Sequence, residues 1–163
     1  MSWLLHRVDD RLIHGQVVVA WGQRLRPQRI WVVDDAVAAS EWERELLESS
    51  APDAVVRVVT VMDAAGQWEQ ERDAIGGAFL LVRDLATALR LVEAGASIAT
   101  LNLGGLHYAP GKDKINEYIY LGDTDRAAAR ALRGLNVALH VQDVPAARAV
   151  PLDELDPRSA LPS

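Results

Sequence analysis

The 163-residue sequence contains no cysteine. That excludes disulfides, a thiolate nucleophile and any cysteine-held metal. No apolar run approaches the ~20 residues that cross a bilayer, and no hydrophobic leader with a cleavage site opens the chain. The expected place is therefore the cytoplasm. Positive charge is in short supply: 17 Lys and Arg stand against 23 Asp and Glu, for a net charge of −6. Such a balance argues against a nucleic-acid surface and against unaided binding to an anionic membrane. No G-x-G-x-x-G or G-x-x-x-x-G-K-[ST] loop follows an apolar run, so nothing points to a nucleotide. The His, Asp and Glu spacings match neither a zinc nor a calcium site, and neither a metal nor an organic cofactor is expected.

What is present is ordinary globular material, half hydrophobic and a quarter charged. Its length fits a single domain over 1–163. Short runs rich in Val, Ile and Leu occur at 3–8, 29–33, 55–61, 78–82, 97–103, 115–121 and 137–141. Runs of that kind read as strands covered on both faces. Helix-like stretches alternate with them at 16–25, 40–50, 62–73, 85–93 and 123–132. Ser40 followed by Glu43 forms a capping-box pattern, Asp123 caps the last helix, and Gly95 and Gly134 mark helix ends. The alternation predicts an α/β fold: a mostly parallel, doubly wound sheet of about seven strands with helices on both faces. Between 103 and 115 there is no room for a crossover helix, so one antiparallel strand is expected near 115–121. The tail from Pro151, with three prolines, reads as loosely held.

One stretch concentrates the chemistry: Arg7-Val8-Asp9-Asp10-Arg11-Leu12-Ile13-His14-Gly15-Gln16-Val17. It joins the first strand to the first helix, with His14 where that helix begins. A helix start offers unpaired N–H groups and partial positive charge, which favour an anion. His14 beside Arg11, with the amides of Gly15, Gln16 and Val17, is placed to hold a phosphoryl group; the bland reading is a polar loop residue. Asp9 and Asp10 read as caps, as partners of Arg7, or as a carboxylate that fixes one ring nitrogen of the histidine. Ligands of open parallel sheets lie beyond the carboxyl ends of the strands. Two further loops should meet there: Asp34-Asp35, and 104–114 with Gly104, Gly105, His107 and Lys112. The paired glycines read either as a rim where backbone approaches an anion or partner, or as a plain glycine-proline turn. His6 and His140 fall inside strands and read as packed core histidines.

The run R-V-D-D-R-L-I-H-G-Q-V resembles the N-terminal signature of the IIB subunits of the mannose/fructose/sorbose type of the bacterial sugar phosphotransferase system. The segment from Asn102 to Lys112 resembles a second motif of that family, and 123–132 with Asp143-Val144-Pro145 resembles its closing elements. The resemblance implies that His14 is phosphorylated, on Nδ1, by the phosphohistidine of a IIA partner. It implies that the group then passes to a sugar of the mannose, fructose or sorbose class, taken up through membrane IIC and IID subunits. In that frame Arg11 neutralises the phosphoryl group, Asp10 supports it, and Asp35, Gly104, Gly105, His107 and Lys112 form a rim or partner surface. A homodimer is allowed. Asp34 departs from the family, where Asn-Asp is frequent, which leaves room for an alternative: a regulatory or protein-binding domain no longer coupled to transport. A phosphatase or mutase with an R-H-G motif fits less well, because Ile13 precedes His14.

Overall fold

The computed structural model describes residues 2–162. Its main sheet has seven strands. They are β1 (Trp3–Asp9), β2 (Arg29–Val33), β3 (Val55–Val59), β4 (Ala78–Val82), β5 (Thr100–Gly105), β8 (Ala138–Val141) and β9 (Val150–Pro151). The spatial order is β3-β2-β4-β1-β5-β8-β9, and every pair is parallel except β8–β9. Side chains alternate across a strand, and the two faces separate accordingly. Phe79 and Leu81 of β4, with Ile30 and Val32 of β2, face one core; Leu80 and Val82, with Trp31 and Val33, face the other.

The first face is covered by α1, α2 (Asp35–Ala39) and α3 (Glu41–Glu48), through Val17, Trp21, Val37 and Leu47. Here α1 denotes a π-helical stretch, Gln16–Trp21, that runs on as the α-helix Gly22–Leu25. The second face is covered by α4 (Val61–Gly66), α5 (Trp68–Arg72), α6 (Leu85–Glu93) and α7 (Asp123–Gly134). These helices contribute Ala64, Trp68, Leu91 and Leu132 to the core. The chain leaving β1 thus turns to one face, and the chain leaving neighbouring β5 leads to the other. Divergence of that kind opens a crevice at the carboxyl ends of β1 and β5, where doubly wound folds bind their ligands.

Local signals explain several boundaries. Ser40 accepts from Glu43 N at the start of α3, and Asp84 accepts from Thr87 N at the start of α6. Gly95, with φ +117°, turns the chain just beyond α6. Four expectations need correction. Residues 115–121 are not a strand of the main sheet. They belong to a separate antiparallel hairpin, β6 (Asp113–Lys114) with β7 (Tyr120–Leu121). Asn116 makes the turn, its Oδ1 accepting from the N–H groups of Tyr118 and Ile119 at 2.9 and 2.8 Å. The antiparallel strand of the main sheet is β9 instead. The helix expected over 62–73 is broken into α4 and α5 at Gln67.

The tail is held firmly. It continues into α8 (Leu152–Leu155) and a 3-10 turn, Pro157–Ser159. Leu152 is buried, and Asp156 is paired at 2.9 Å with the nearly buried Arg126 of α7. Finally, Asp123 is not the cap of α7: Gly122 precedes the helix, and its N–H donates to Asp125 at 2.8 Å.

Candidate functional site

The site is assembled on Asp9, the last residue of β1. Its carboxylate is fully buried and accepts from three side chains. Oδ2 accepts from His14 Nε2 at 2.8 Å, Arg7 Nη2 at 3.2 Å and Arg11 Nη2 at 3.3 Å. Oδ1 accepts from Arg11 Nε at 3.2 Å and from its backbone N–H at 3.1 Å. Burial by itself would push the Asp9 carboxyl up. Hydrogen bonds from Arg11 and His14, with the charges of His14 and Arg7, outweigh it and hold the carboxyl below its ordinary range.

A tight turn brings those groups together. Leu12 N donates to Asp9 O at 2.9 Å, and Leu12 sits at φ +59°, in the left-handed region that leucine disfavours. Its side chain is 2 % exposed within the core, so packing holds the strained backbone in place. His14 follows, one-sixth exposed, at the start of α1. The first turn closes with Val18 N donating to His14 O at 3.0 Å. The amides of Gly15, Gln16 and Val17 precede that bond and have no carbonyl one turn back to accept from them. A Cβ added at Gly15 would meet nothing within 4 Å, so the approach to His14 over this residue is open.

Behind Asp9 lies Arg7, with no exposed surface. Its guanidinium donates to Asn102 Oδ1 at 2.6 Å, Gln142 O at 2.9 Å and Asp143 O at 3.0 Å as well as to Asp9. Burial pulls the Arg7 pKa below its ordinary value, and the Asp9 charge offsets only part of that. Gly104 makes this arrangement possible: a Cβ there would lie 1.8 Å from Arg7 Cζ. Gly105 gives room on the other side, where a Cβ would come within 3.2 Å of Asp9 and Arg11. Both glycines are buried in β5. They are spacers for the charged cluster, in a strand rather than in the rim or the glycine-proline turn expected from sequence.

The other anticipated residues divide. Asp10 does not touch His14; its oxygens take His107 N at 2.7 Å and His107 Nδ1 at 2.5 Å. Gln16 Oε1 lies 3.5 Å from Arg11 Nη2. Lys112 is tied to Asp125 at 3.3 Å, at the start of α7. Asp35 accepts from Val61 N at 2.9 Å and from Arg90 at 2.7 Å, two strands away from β1 in the sheet. The Arg90 hydrogen bond, followed by the one from Val61, holds its carboxyl below the ordinary range. Asp34 caps α2 by accepting from Val37 N at 2.9 Å. Sequence reading offered Arg7 as a partner of Asp9 or Asp10, which holds for Asp9, but gave Asn102 no role of its own and left Asp9 undecided. The available signal was a charged residue at an inward position of a strand that is otherwise apolar, which demands a buried partner.

Chemically, the cluster leaves His14 with Nε2 occupied as a donor to a carboxylate and Nδ1 carrying a lone pair. Arg11 is 37 % exposed and keeps Nη1 for an incoming anion. A cavity of about 440 Å³, between Val18, Arg26 and Asp53, does not include His14. The open space over Gly15, next to the partly exposed His14, suits a reactant presented by another protein.

A family model described as PTS system sorbose subfamily IIB component matches residues 3–160. The sorbose-specific EIIB component of Klebsiella pneumoniae is 36 % identical over 145 residues, covering 88 % of each chain. The mannose-specific EIIAB component of Escherichia coli is 35 % identical over 141 residues, which are 86 % of this chain and 44 % of that protein. The crystal structure of the IIBSor domain of the K. pneumoniae sorbose permease superposes with a TM-score of 0.88, at 34 % identity, over 98 % of this chain and 99 % of that one. The sequence motifs, the doubly wound sheet and these matches agree: the chain belongs to the sorbose subfamily of phosphotransferase-system IIB components.

Proposed function

We propose that the chain, as one IIB domain over 1–163, is a phosphocarrier that takes a phosphoryl group on His14 Nδ1 from the phosphohistidine of a IIA protein. It passes the group to a sugar of the mannose, fructose or sorbose class entering through membrane IIC and IID subunits. It works in the cytoplasm, docked against that permease. The observation that carries this reading is the 2.8 Å hydrogen bond from His14 Nε2 to Asp9, which leaves Nδ1 as the nucleophile. Phosphohistidine is an activated donor, so catalysis consists of positioning and charge stabilisation. Asp9 orients the ring. Arg11 offers its remaining donors to the equatorial oxygens, and the amides of Gly15, Gln16 and Val17 complete the cradle. Among the described residues no helix is long and apolar enough to cross a membrane. The Asp34 carboxylate is engaged at the start of α2, and it supplies no ground for a purely regulatory role.

The test is a relay from phosphoenolpyruvate through the general phosphocarriers and a mannose-type IIA, read by intact mass and acid lability. One acid-labile phosphoryl group is expected, absent in His14→Ala. A folded His14→Ala that still gains the group would defeat the assignment.

A further inference from the structure

Asp9 and Asp10 each hold a histidine, and they hold opposite nitrogens. Asp9 takes Nε2 of His14; Asp10 takes Nδ1 of His107. The second pair is tightly built. Both Asp10 oxygens are occupied by His107, one by its ring and one by its backbone N–H. Asp10 N donates to Gly105 O at 3.0 Å. Leu106, just before the histidine, is fixed to the hairpin by bonds to Tyr118 O at 2.9 Å and from Tyr120 N at 2.8 Å. A carboxylate only accepts, so Nδ1 carries a proton, and in the neutral ring Nε2 keeps its lone pair. The side chain is 58 % exposed. Among the described residues no guanidinium or ammonium pairs with Asp10 or hydrogen-bonds to His107. The pair therefore lacks the cations that suit His14 to hold a phosphoryl group, and it has the arrangement of a general base.

We propose that His107 Nε2 is the general base of the sugar half-reaction, with Asp10 as its positioning residue. The inference rests on the phosphocarrier reading above. In the first half-reaction His14 Nδ1 attacks with a lone pair, and no proton has to leave the attacking atom. In the second, a sugar hydroxyl oxygen forms the O–P bond, the P–Nδ1 bond breaks, and its electron pair returns to His14. The hydroxyl proton must go elsewhere. In-line displacement puts Nδ1 on the far side of phosphorus from the attacking oxygen. His14 Nε2 already bears a proton donated to Asp9, and the Asp9 carboxylate is fully buried and takes five hydrogen bonds. His107 Nε2 accepts the proton, the Asp10 carboxylate stabilises the imidazolium, and solvent removes the proton afterwards.

The two half-reactions separate the outcomes. The protein is loaded by IIA, then mixed with membranes bearing mannose-type IIC and IID subunits and offered mannose, fructose, sorbose and N-acetylgalactosamine in turn. His107→Ala should load His14 within about threefold of wild type and donate to sugar roughly 10²–10⁴-fold more slowly. The loss should fall on kcat, with the sugar KM unchanged, and added imidazole should restore part of the rate. His107→Gln, which keeps a polar contact with Asp10 but has no base, should match the alanine variant. Asp10→Asn should show a smaller loss, also on kcat. Wild-type donation by either His107 variant would overturn the proposal. So would equal losses in loading and donation, failure of imidazole to rescue, or a loaded wild type that donates to none of the four sugars. Failure of His14 to load at all would instead defeat the phosphocarrier reading.

Discussion

Gly104 and Gly105 are neighbours in β5, and substitution of each by alanine should have very different consequences. At Gly104 the new methyl would lie 1.8 Å from Arg7 Cζ, 1.9 Å from Nη2 and 2.3 Å from Nη1. Arg7 cannot swing away cheaply, because it has no exposed surface and its guanidinium is fixed by Asn102, Gln142, Asp143 and Asp9. Clearing the methyl requires a retreat of about 1.5 Å, which stretches bonds of 2.6 to 3.2 Å beyond hydrogen-bonding range. Two fully buried charges, Arg7 and Asp9, then lose their partnership. Breaking a buried pair costs about 3–5 kcal/mol. For a chain of this size that is a melting-temperature drop of roughly 10 °C. At Gly105 the nearest atoms are Arg11 Nη2 and Asp9 Oδ1, both at 3.2 Å, so a shift of a few tenths of an ångström by the 37 % exposed Arg11 and the Asp9 carboxylate makes room. The cost there should stay under about 1 kcal/mol. Urea unfolding of both variants measures the difference. A double-mutant cycle with Arg7→Ala adds a second check, because the Gly104→Ala penalty should nearly vanish once the guanidinium is gone. Equal costs for the two glycines, or an unchanged Gly104→Ala penalty without Arg7, would refute the reasoning.

Three further outcomes are expected. Gly15→Ala should leave the fold intact or raise stability by about 0.4–1 kcal/mol, since its Cβ would meet open space. It should nonetheless slow loading by IIA, and a loading rate unchanged from wild type would show that the donor does not pass over this residue. His6 lies in β1 with its Nε2 buried and unpartnered, and burial lowers its pKa from 6.5 to about 4. The unfolded chain binds a proton there that the folded chain refuses, so this contribution is complete above pH 6.5 and is lost as pH falls toward 4. The loss amounts to about 3 kcal/mol, and the stability difference between wild type and His6→Phe, measured by urea unfolding across this range, should track it. Asp156→Asn should cost about 2–4 kcal/mol, because Arg126 is 4 % exposed and keeps only the more exposed Asp113 as a carboxylate partner. Limited proteolysis should then cut the tail beyond Pro151; a resistant tail would show that Leu152 packing alone retains it.

The motif around His14 and the alternating apolar runs carried both the family and the sheet-and-helix architecture at the level of sequence. Strands such as β2 and β4 were legible because four and five consecutive apolar residues, respectively, suit positions covered on both sides. Helix α6 was legible because Gly95 acts within one turn of its end, whereas its cap Asp84 was not read from sequence. The hairpin at 113–121 was misread because its apolar residues look like a strand, whereas the turn depends on the Asn116 side chain reaching two amides. The tail was misread because its anchor, Arg126, lies 30 residues earlier.

Sequence by itself determined that His14, Arg11 and a pair of aspartates share one loop at a helix start. Only tertiary structure decided which aspartate serves which histidine. Asp9 ends a buried strand and faces inward to Arg7, Arg11 and His14, while Asp10, one residue on, has entered the turn and meets His107 from the loop just beyond β5. Adjacent carboxylates are equivalent in a linear chain. They become distinct when the strand ends between them and the next strand and the loop beyond it bring their own partners, 95 residues away for Arg7 and Asn102 and 97 for Asp10 and His107. The same holds for Gly104, whose lack of a side chain acquires meaning only from the guanidinium folded against it.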